Sequence, residues 1–258
     1  MKRGYFFLSF LLLSFIGAVN ITAQESSTEP SMFLVHEDVV YPYMADKYEA
    51  TIKEFKELLA SNNVDEMSFN TAQIEYFTYT YLTPVTNFEG LASYMASGES
   101  MMEKVGAEKF ADVMKNFDGC YSSHKNYMLN LRNDLSYIEK QGLDPEEGLN
   151  FRHLDFFHVL PGKAEEFTEV LKEWKALYEA KGIEQGYRVY FGGMGLDLPL
   201  VLMVSPSKSR SQWAMESDEQ DEILGEDWNR LISKTMALVW KFEHKNGMMR
   251  PDLAYNQK

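Results

Sequence analysis

One stretch of this chain occurs twice, and an internal repeat restricts the available folds more than any single motif does. Leu154–Tyr178 (LDFFHVLPGKAEEFTEVLKEWKALY) reads as a short buried strand, a Pro-Gly turn and an amphipathic helix. Val35–Leu59 (VHEDVVYPYMADKYEATIKEFKELL) has the same order. Lys53-Glu54-Phe55-Lys56 lies over Lys172-Glu173-Trp174-Lys175, a spacing of 119 that also sets Pro42 on Pro161 and Ile52 on Leu171. In the first helix Tyr48, Ile52, Phe55, Leu58 and Leu59 recur at helical period, and in the second Phe167, Val170, Leu171, Trp174 and Tyr178 do so.

The segments after each helix continue the parallel. Strands are expected over Met67–Phe69 and Glu75–Leu82, then helical pieces Asn87–Ser97 and Glu99–Asn116 split at Gly98, then a strand over Phe117–Lys125. In the second half the strands are Phe151–Leu160, Gly186–Phe191, Leu198–Val204 and Met236–His244, with helices over Gln212–Glu219 and Asp227–Thr235. Thr83-Pro84 and Ser205-Pro206 are read as strand ends. Each half is therefore β-α-β-β-α-β, the ferredoxin-like order. The fold class is α+β: two tandem ferredoxin-like halves packed sheet to sheet with helices outside, an intrachain pseudo-dimeric α/β barrel. The first repeat with its tail covers 32–140, a Gly/Pro/acidic linker 141–149, and the second repeat 150–258. The two tails match best. His124-Lys125-Asn126 recurs as His244-Lys245-Asn246, and Arg132-Asn133-Asp134-Leu135-Ser136-Tyr137 as Arg250-Pro251-Asp252-Leu253-Ala254-Tyr255. The tails are expected to cover a sheet edge, with an Arg–Asp pair and a Tyr anchor in each.

Lys2 and Arg3 precede an apolar run from Tyr5 to about Val19, which reads as a signal peptide over 1–23 followed by a flexible leader over 24–31. An exported protein, periplasmic or extracellular, without a lasting membrane anchor is expected. A formal charge of −14 argues against nucleic acid as a partner. Cys120 is the sole cysteine, so no intramolecular disulfide can form, and its apolar context marks it as a small buried hydrophobe.

The run His158-Val159-Leu160-Pro161-Gly162-Lys163-Ala164-Glu165-Glu166-Phe167 resembles the opening of the dimeric α/β-barrel superfamily, which includes antibiotic-biosynthesis-monooxygenase-like and NIPSNAP-like domains. The resemblance covers roughly 32–126 and 150–246 and is clearer in the second half, since Tyr43-Met44-Ala45 stands in the first where Gly-Lys-Ala stands in the second. It implies the fold. Its members include haem-degrading monooxygenases, cofactor-free oxygenases and isomerases, so it does not choose a chemistry. Tandem ferredoxin-like halves are also similar to the chlorite-dismutase and dye-decolourising-peroxidase group, in which a second-half histidine binds haem iron. No ligand motif of that group occurs here.

His153, Asp155 and His158 cluster in one strand, where alternation puts His153 and Asp155 on one face and His158 on the other. They cannot converge on a metal, and no metal-site spacing is recognisable in the sequence. His153 with Asp155 suits acid–base chemistry facing a cavity between the sheets. The spacing of 119 sets His36, on the same face as Asp38, over Asp155, so that His36 and Asp155 would be related by the pseudo-two-fold. Phe77, Tyr79, Tyr81, Tyr190 and Met203 are the candidate aromatic and apolar lining of the same inter-sheet space. No G-x-S-x-G, P-loop, H-E-x-x-H, C-x-x-C or dinucleotide fingerprint is present. Two readings follow. The first is an exported protein binding a small apolar or aromatic ligand, as a monomeric pseudo-dimer or a homodimer. The second is an oxidoreductase, monooxygenase-like or using haem, in which His36, His153 or His158 polarises substrate or binds iron.

Overall fold

The first strand, β1 (Met32–Val40), shows why the molecule has two kinds of interior. Phe33, Val35 and Glu37 point one way, into a cavity shared by both sheets, while Leu34, His36 and Asp38 point the other way, toward the first half's helices. Every central strand must therefore satisfy two cores.

A computed structural model describes residues 32–137 and 148–256. The expected signal peptide, leader and most of the linker lie outside them. After β1 come α1 (Ala45–Ser61), β2 (Asn70–Ile74), β3 (Thr78–Val85), α2 (Phe88–Val105), α3 (Ala107–Lys115) and β4 (Tyr121–Leu131). The second half repeats this as β5 (Phe151–Val159), α4 (Ala164–Lys181), β6 (Arg188–Gly192), β7 (Leu200–Ser207), α5 (Arg210–Leu224), α6 (Glu226–Met236) and β8 (Val239–Met249). The strands close into a barrel in the order β1-β3-β2-β8-β5-β7-β6-β4, with all pairs antiparallel. The tandem ferredoxin-like architecture expected from the repeat is the one observed.

Three apolar clusters hold it together. Tyr48, Ile52 and Leu59 of α1 pack on Tyr79 and Tyr81 in the first half, and Phe167, Leu171 and Trp174 of α4 pack on Phe157 and Val189 in the second. A smaller cluster inside the barrel comprises Val35, Leu129, Leu131, Tyr190 and Leu202. Each fully buried Leu, Val or Phe is worth about 1.5–3 kcal/mol.

The two sheets meet along two seams, each three residue pairs long: Ala72–Ile74 on Gly247–Met249, and Leu129–Leu131 on Tyr190–Gly192. The tails extend them. Tyr137 of the first tail bridges Tyr187 before β6, and Tyr255 of the second bridges Phe69 before β2, so each half covers an edge of the other. Arg132 grips Asp134 at 2.7 Å and Arg250 grips Asp252 at 2.8 Å, as expected. Tyr137 and Tyr255 donate from their hydroxyls to the carbonyls of Ile183 and Val64. The duplicated Lys-Glu-aromatic-Lys segment has its use here, because Lys56 donates to the Asp252 carbonyl and Lys175 to the Asp134 carbonyl.

Several boundaries differ from expectation for physical reasons. α2 runs through Gly98, and the break falls at Gly106 (φ 87°), mirrored by Gly225 (φ 54°) between α5 and α6. Gly98 has open space around it and a helical backbone, so nothing stops the helix there. Glu75 and Tyr76 both have positive φ and form a turn between β2 and β3, not the start of a strand. This turn is clamped from outside, since Asn246 N donates to Glu75 Oε1 and Glu75 N to the Asn246 carbonyl. Pro84 and Pro206 lie within β3 and β7. Both sit beyond the last paired residues of β2 and β6, on edges where a missing N–H costs no ladder bond. β4 and β8 run on through Leu131 and Met249 because β1 and β5 pair with them along these stretches and the seams add a partner from the other half.

Candidate functional site

β1 carries His36-Glu37-Asp38 and β5 carries His153-Leu154-Asp155, each beside a His-Lys-Asn in the last strand of its own half. Strand register makes the two sets equivalent. His36 faces Asn126 and Asp38 faces His124 in the first half; His153 faces Asn246 and Asp155 faces His244 in the second. His36 thus corresponds to His153, not to Asp155. β5 has two more residues than β1 between the His-x-Asp and the bulge that follows (after Val39 and after His158), and a fixed spacing of 119 hides the match.

Both sets lie between a sheet and its own helices, and this corrects the expected location between the sheets. His153 and Asp155 line a cavity of about 500 Å³ under α4, α5 and α6. His36 and Asp38 line one of about 260 Å³ in the first half. The inter-sheet space is a separate cavity of about 210 Å³, and it is not simply apolar, because Glu37, Arg152, Arg188 and Lys245 enter it. Burial there, with the charge of Arg188 adding to it, brings the Arg152 guanidinium down to about 10.

The candidate lining residues are divided among these spaces. Tyr190 alone lies in the barrel interior. Tyr81 lines the first-half cavity, and Tyr79 is fully buried beneath α1 with its hydroxyl donating to Glu49. Met203 lines the second-half cavity, and Phe77 is exposed beside the β2–β3 turn. His158 enters none of them. Its Nε2 meets Glu243 at 2.9 Å and its ring lies against Trp240.

The second-half cavity has aromatic walls, with Phe157, Trp174, Tyr178, Trp213, Trp228 and Phe242 among its lining. His153 forms part of its floor. Its ring stacks on Trp213 at 3.8 Å and 17°, its Nδ1 is 3.0 Å from Asn246 Oδ1, and its Nε2 is 3.1 Å from Asp155 Oδ1. Burial favours the neutral imidazole, but the bond and charge of Asp155 and the bond to Asn246 outweigh it, so His153 titrates above the ordinary value. The arrangement is an imidazole and a carboxylate that hold each other in one orientation, with both imidazole nitrogens engaged. Gln185 Nε2 and Tyr187 Oη, also on this cavity's wall, are buried with no hydrogen-bond partner.

In the first half Asp38 is the hub. It is 4% exposed and accepts from Tyr48 Oη at 2.6 Å, with His36 Nε2 at 3.3 Å and His124 Nδ1 at 2.9 Å from its two oxygens. Burial raises a carboxyl, yet the bonds from His36 and Tyr48 and the nearby imidazoles hold Asp38 below its usual range. Burial, with Tyr81 and Asp38 adding to it, keeps the Tyr48 phenol protonated and donating.

Asp38, His124, Gln185 and Tyr187 are not among the site residues expected from the sequence. Two signals were available for the first pair: His-x-Asp in the first strand of both halves, and the unusual identity of the His-Lys-Asn copies.

Solved structures with the same arrangement include an anthrone oxidase-like protein (13% identity, TM-score 0.59, 87% of this chain and 93% of that one). A monooxygenase-like protein of Fusobacterium nucleatum matches at 10% identity and TM-score 0.56 over 90% of this chain and 96% of that one. A monooxygenase-like protein of Lactobacillus acidophilus matches at 10% identity and TM-score 0.52 over 86% and 94%. This chain has the dimeric α/β-barrel fold. Identities so low show the barrel's architecture and no more. No protein-family model and no curated protein sequence matches the chain.

The histidines expected to hold a haem iron do not fit that role. In this barrel His153 has both ring nitrogens engaged and one face covered by Trp213, and His158 is turned to Glu243 outside the cavity. His36 turns its Nε2 to Asp38 in the smaller first-half cavity, away from the aromatic walls of the second half.

Proposed function

We propose that this protein binds a small, largely planar aromatic molecule in the second-half cavity, and that it does so after export from the cytoplasm. The observation that carries the binding reading is the pair of unpartnered polar atoms, Gln185 Nε2 and Tyr187 Oη, set in an aromatic wall. A buried polar group without a partner costs about 1–3 kcal/mol. A ligand with a carbonyl or phenolate oxygen would relieve that cost while its rings meet Trp174, Tyr178 and Phe242. A volume near 500 Å³ suits a ligand of two or three fused rings. Export rests on Lys2, Arg3 and the apolar run behind them.

A second reading has its own support. Asp155, held in place by His153, lines the same cavity and is the group positioned to take a proton from a phenol or an activated C–H. The names of two kinds of similar barrel, anthrone oxidase-like and monooxygenase-like, favour an oxygenase in which the deprotonated ligand itself reacts with dioxygen. No haem-dependent step is part of this reading.

An anthrone titrated into the purified protein should quench the fluorescence of Trp174, Trp213 and Trp228, and an oxygen electrode would report turnover. Quenching without oxygen uptake supports the binding protein; uptake lost in H153A or D155N supports the oxygenase. No quenching by anthrones, naphthols or flavonoids at up to 1 mM (about the weak limit for a specific small-ligand site) would refute both.

A further inference from the structure

We propose that the first half holds a divalent transition-metal ion on His36, Asp38 and His124. These residues come from two neighbouring antiparallel strands, and one nitrogen or oxygen from each lies within 4.8 Å of the other two. The closest approaches are His36 Nε2 to Asp38 Oδ2 at 3.3 Å and His124 Nδ1 to Asp38 Oδ1 at 2.9 Å. In a tetrahedral site with bonds of roughly 2.0–2.1 Å, neighbouring ligand atoms stand roughly 3.3 Å apart, so a small adjustment admits the ion.

The outer contacts are those of a metal centre. His36 Nδ1 lies 3.0 Å from Asn126 Oδ1, an acceptor that fixes the proton on Nδ1 and leaves Nε2 facing Asp38. Tyr48 donates to Asp38 Oδ2, and Tyr81 donates to Tyr48, so the carboxylate cannot rotate freely. Ligands oriented in this way by a second set of bonds are typical of sites that bind metal tightly.

Comparison of the halves sharpens the assignment. The second half has the same residue types at His153, Asp155, His244 and Asn246, but Trp213 lies flat on His153 and the two histidine rings are 5.9 Å apart. The first-half rings are edge to face at 4.3 Å, and their cavity is open beside them, bounded by Leu34, Tyr94, Met114 and Tyr121. Two imidazoles and one carboxylate select zinc, iron(II) or their neighbours over calcium or magnesium. Three protein ligands beside an open cavity leave a position for water or a further ligand. The ion and the aromatic ligand occupy different halves, so either stands without the other.

The test uses the untagged protein, stripped with a chelator and titrated with Co²⁺ under anaerobic conditions. One equivalent of Co²⁺ per chain should develop a visible d–d band, which Zn²⁺ should abolish. H124A, at a half-exposed position, should fold and weaken Co²⁺ binding by about ten- to a hundredfold, as H36Q should. H244A should leave one equivalent bound. A protein that gives no band with a twofold excess of Co²⁺ at 100 µM overturns the proposal, as does a band that H124A leaves unchanged. D38N serves as a third variant, and if it fails to fold, H124A and H36Q decide.

Discussion

Tyr187 and His153 sit on one cavity wall but should respond to substitution in opposite ways. The Tyr187 hydroxyl has no partner, so Y187F should leave thermal stability unchanged or raise it slightly, while weakening aromatic-ligand binding by about five- to thirtyfold. Calorimetric melting and fluorescence titration on the same variant test both halves of this statement. His153 is bound by Asp155 and Asn246 and titrates above an unperturbed imidazole. A raised histidine contributes stability that is fully present below the unfolded value, near 6.5, and is lost as pH rises through the folded value. The difference in melting temperature between wild type and D155N should therefore be largest below about pH 6.5 and shrink as pH rises above it. A difference independent of pH would show that the pair is held by packing on Trp213 and not by charge. The His-x-Asp motif was readable in the sequence at this scale. What hid its meaning was the two-residue difference between β1 and β5, which a gap-free comparison turns into a false match of His36 with Asp155. The choice between inter-sheet and helix-side faces was also hidden, because alternation says which residues share a face but not what covers it.

At the scale of elements, the two arginines of the tails look alike in sequence and differ in setting. Arg132 pairs with Asp134 and lies over the Phe191 ring at 4.8 Å, at about one-third exposure. Arg250 also forms a bidentate pair with Glu49 at 2.7 Å and 2.7 Å and donates to Gln73, at one-fifth exposure. R250A should cost about 2–4 kcal/mol in urea unfolding and R132A less than about 1 kcal/mol. The Arg250 bonds hold Glu49 below the usual carboxylate range despite partial burial. A lowered carboxyl contributes stability above its unfolded value, near 4.5, and loses it as pH falls through the folded one, so the gap between wild type and R250A should narrow as pH falls below that value. The seam has a second weak point at Gly247, where an added Cβ would stand 2.3 Å from Ile74 Cδ1 and 3.0 Å from the Gln73 carbonyl. G247A should destabilise by about 1–3 kcal/mol, and I74A should restore part of that loss. Additive losses in the double variant would refute the steric account. Helix faces and strand order were legible because period and repeat reinforced each other. The ends of β4 and β8 were not, since they are set by pairing with β1, with β5 and with the other half, partners distant in sequence.

For the whole molecule, the duplication means that each half carries the complement of its own open edges. β2 pairs with β8 and β4 with β6, and β8 and β6 are the second-half counterparts of β4 and β2. Residues 150–258 expressed alone should therefore form a homodimer through the same two seams, measurable by light scattering after size exclusion. A folded monomer would show that the seams are dispensable. The halves have meanwhile parted at their sites: an aromatic lid rests on His153, and an open cavity lies beside His36.

The crossed tails also constrain the order of events during synthesis. Phe69, at the approach to β2, bonds to Tyr255, and Thr71 accepts from Arg250, so the edge of β2 is closed by a tail that is made only after the whole second half. Until then the first half presents an unpaired strand to its surroundings, throughout the synthesis of the second half. Loss of residues 250–256 would leave that edge exposed and prone to strand addition on an otherwise folded barrel.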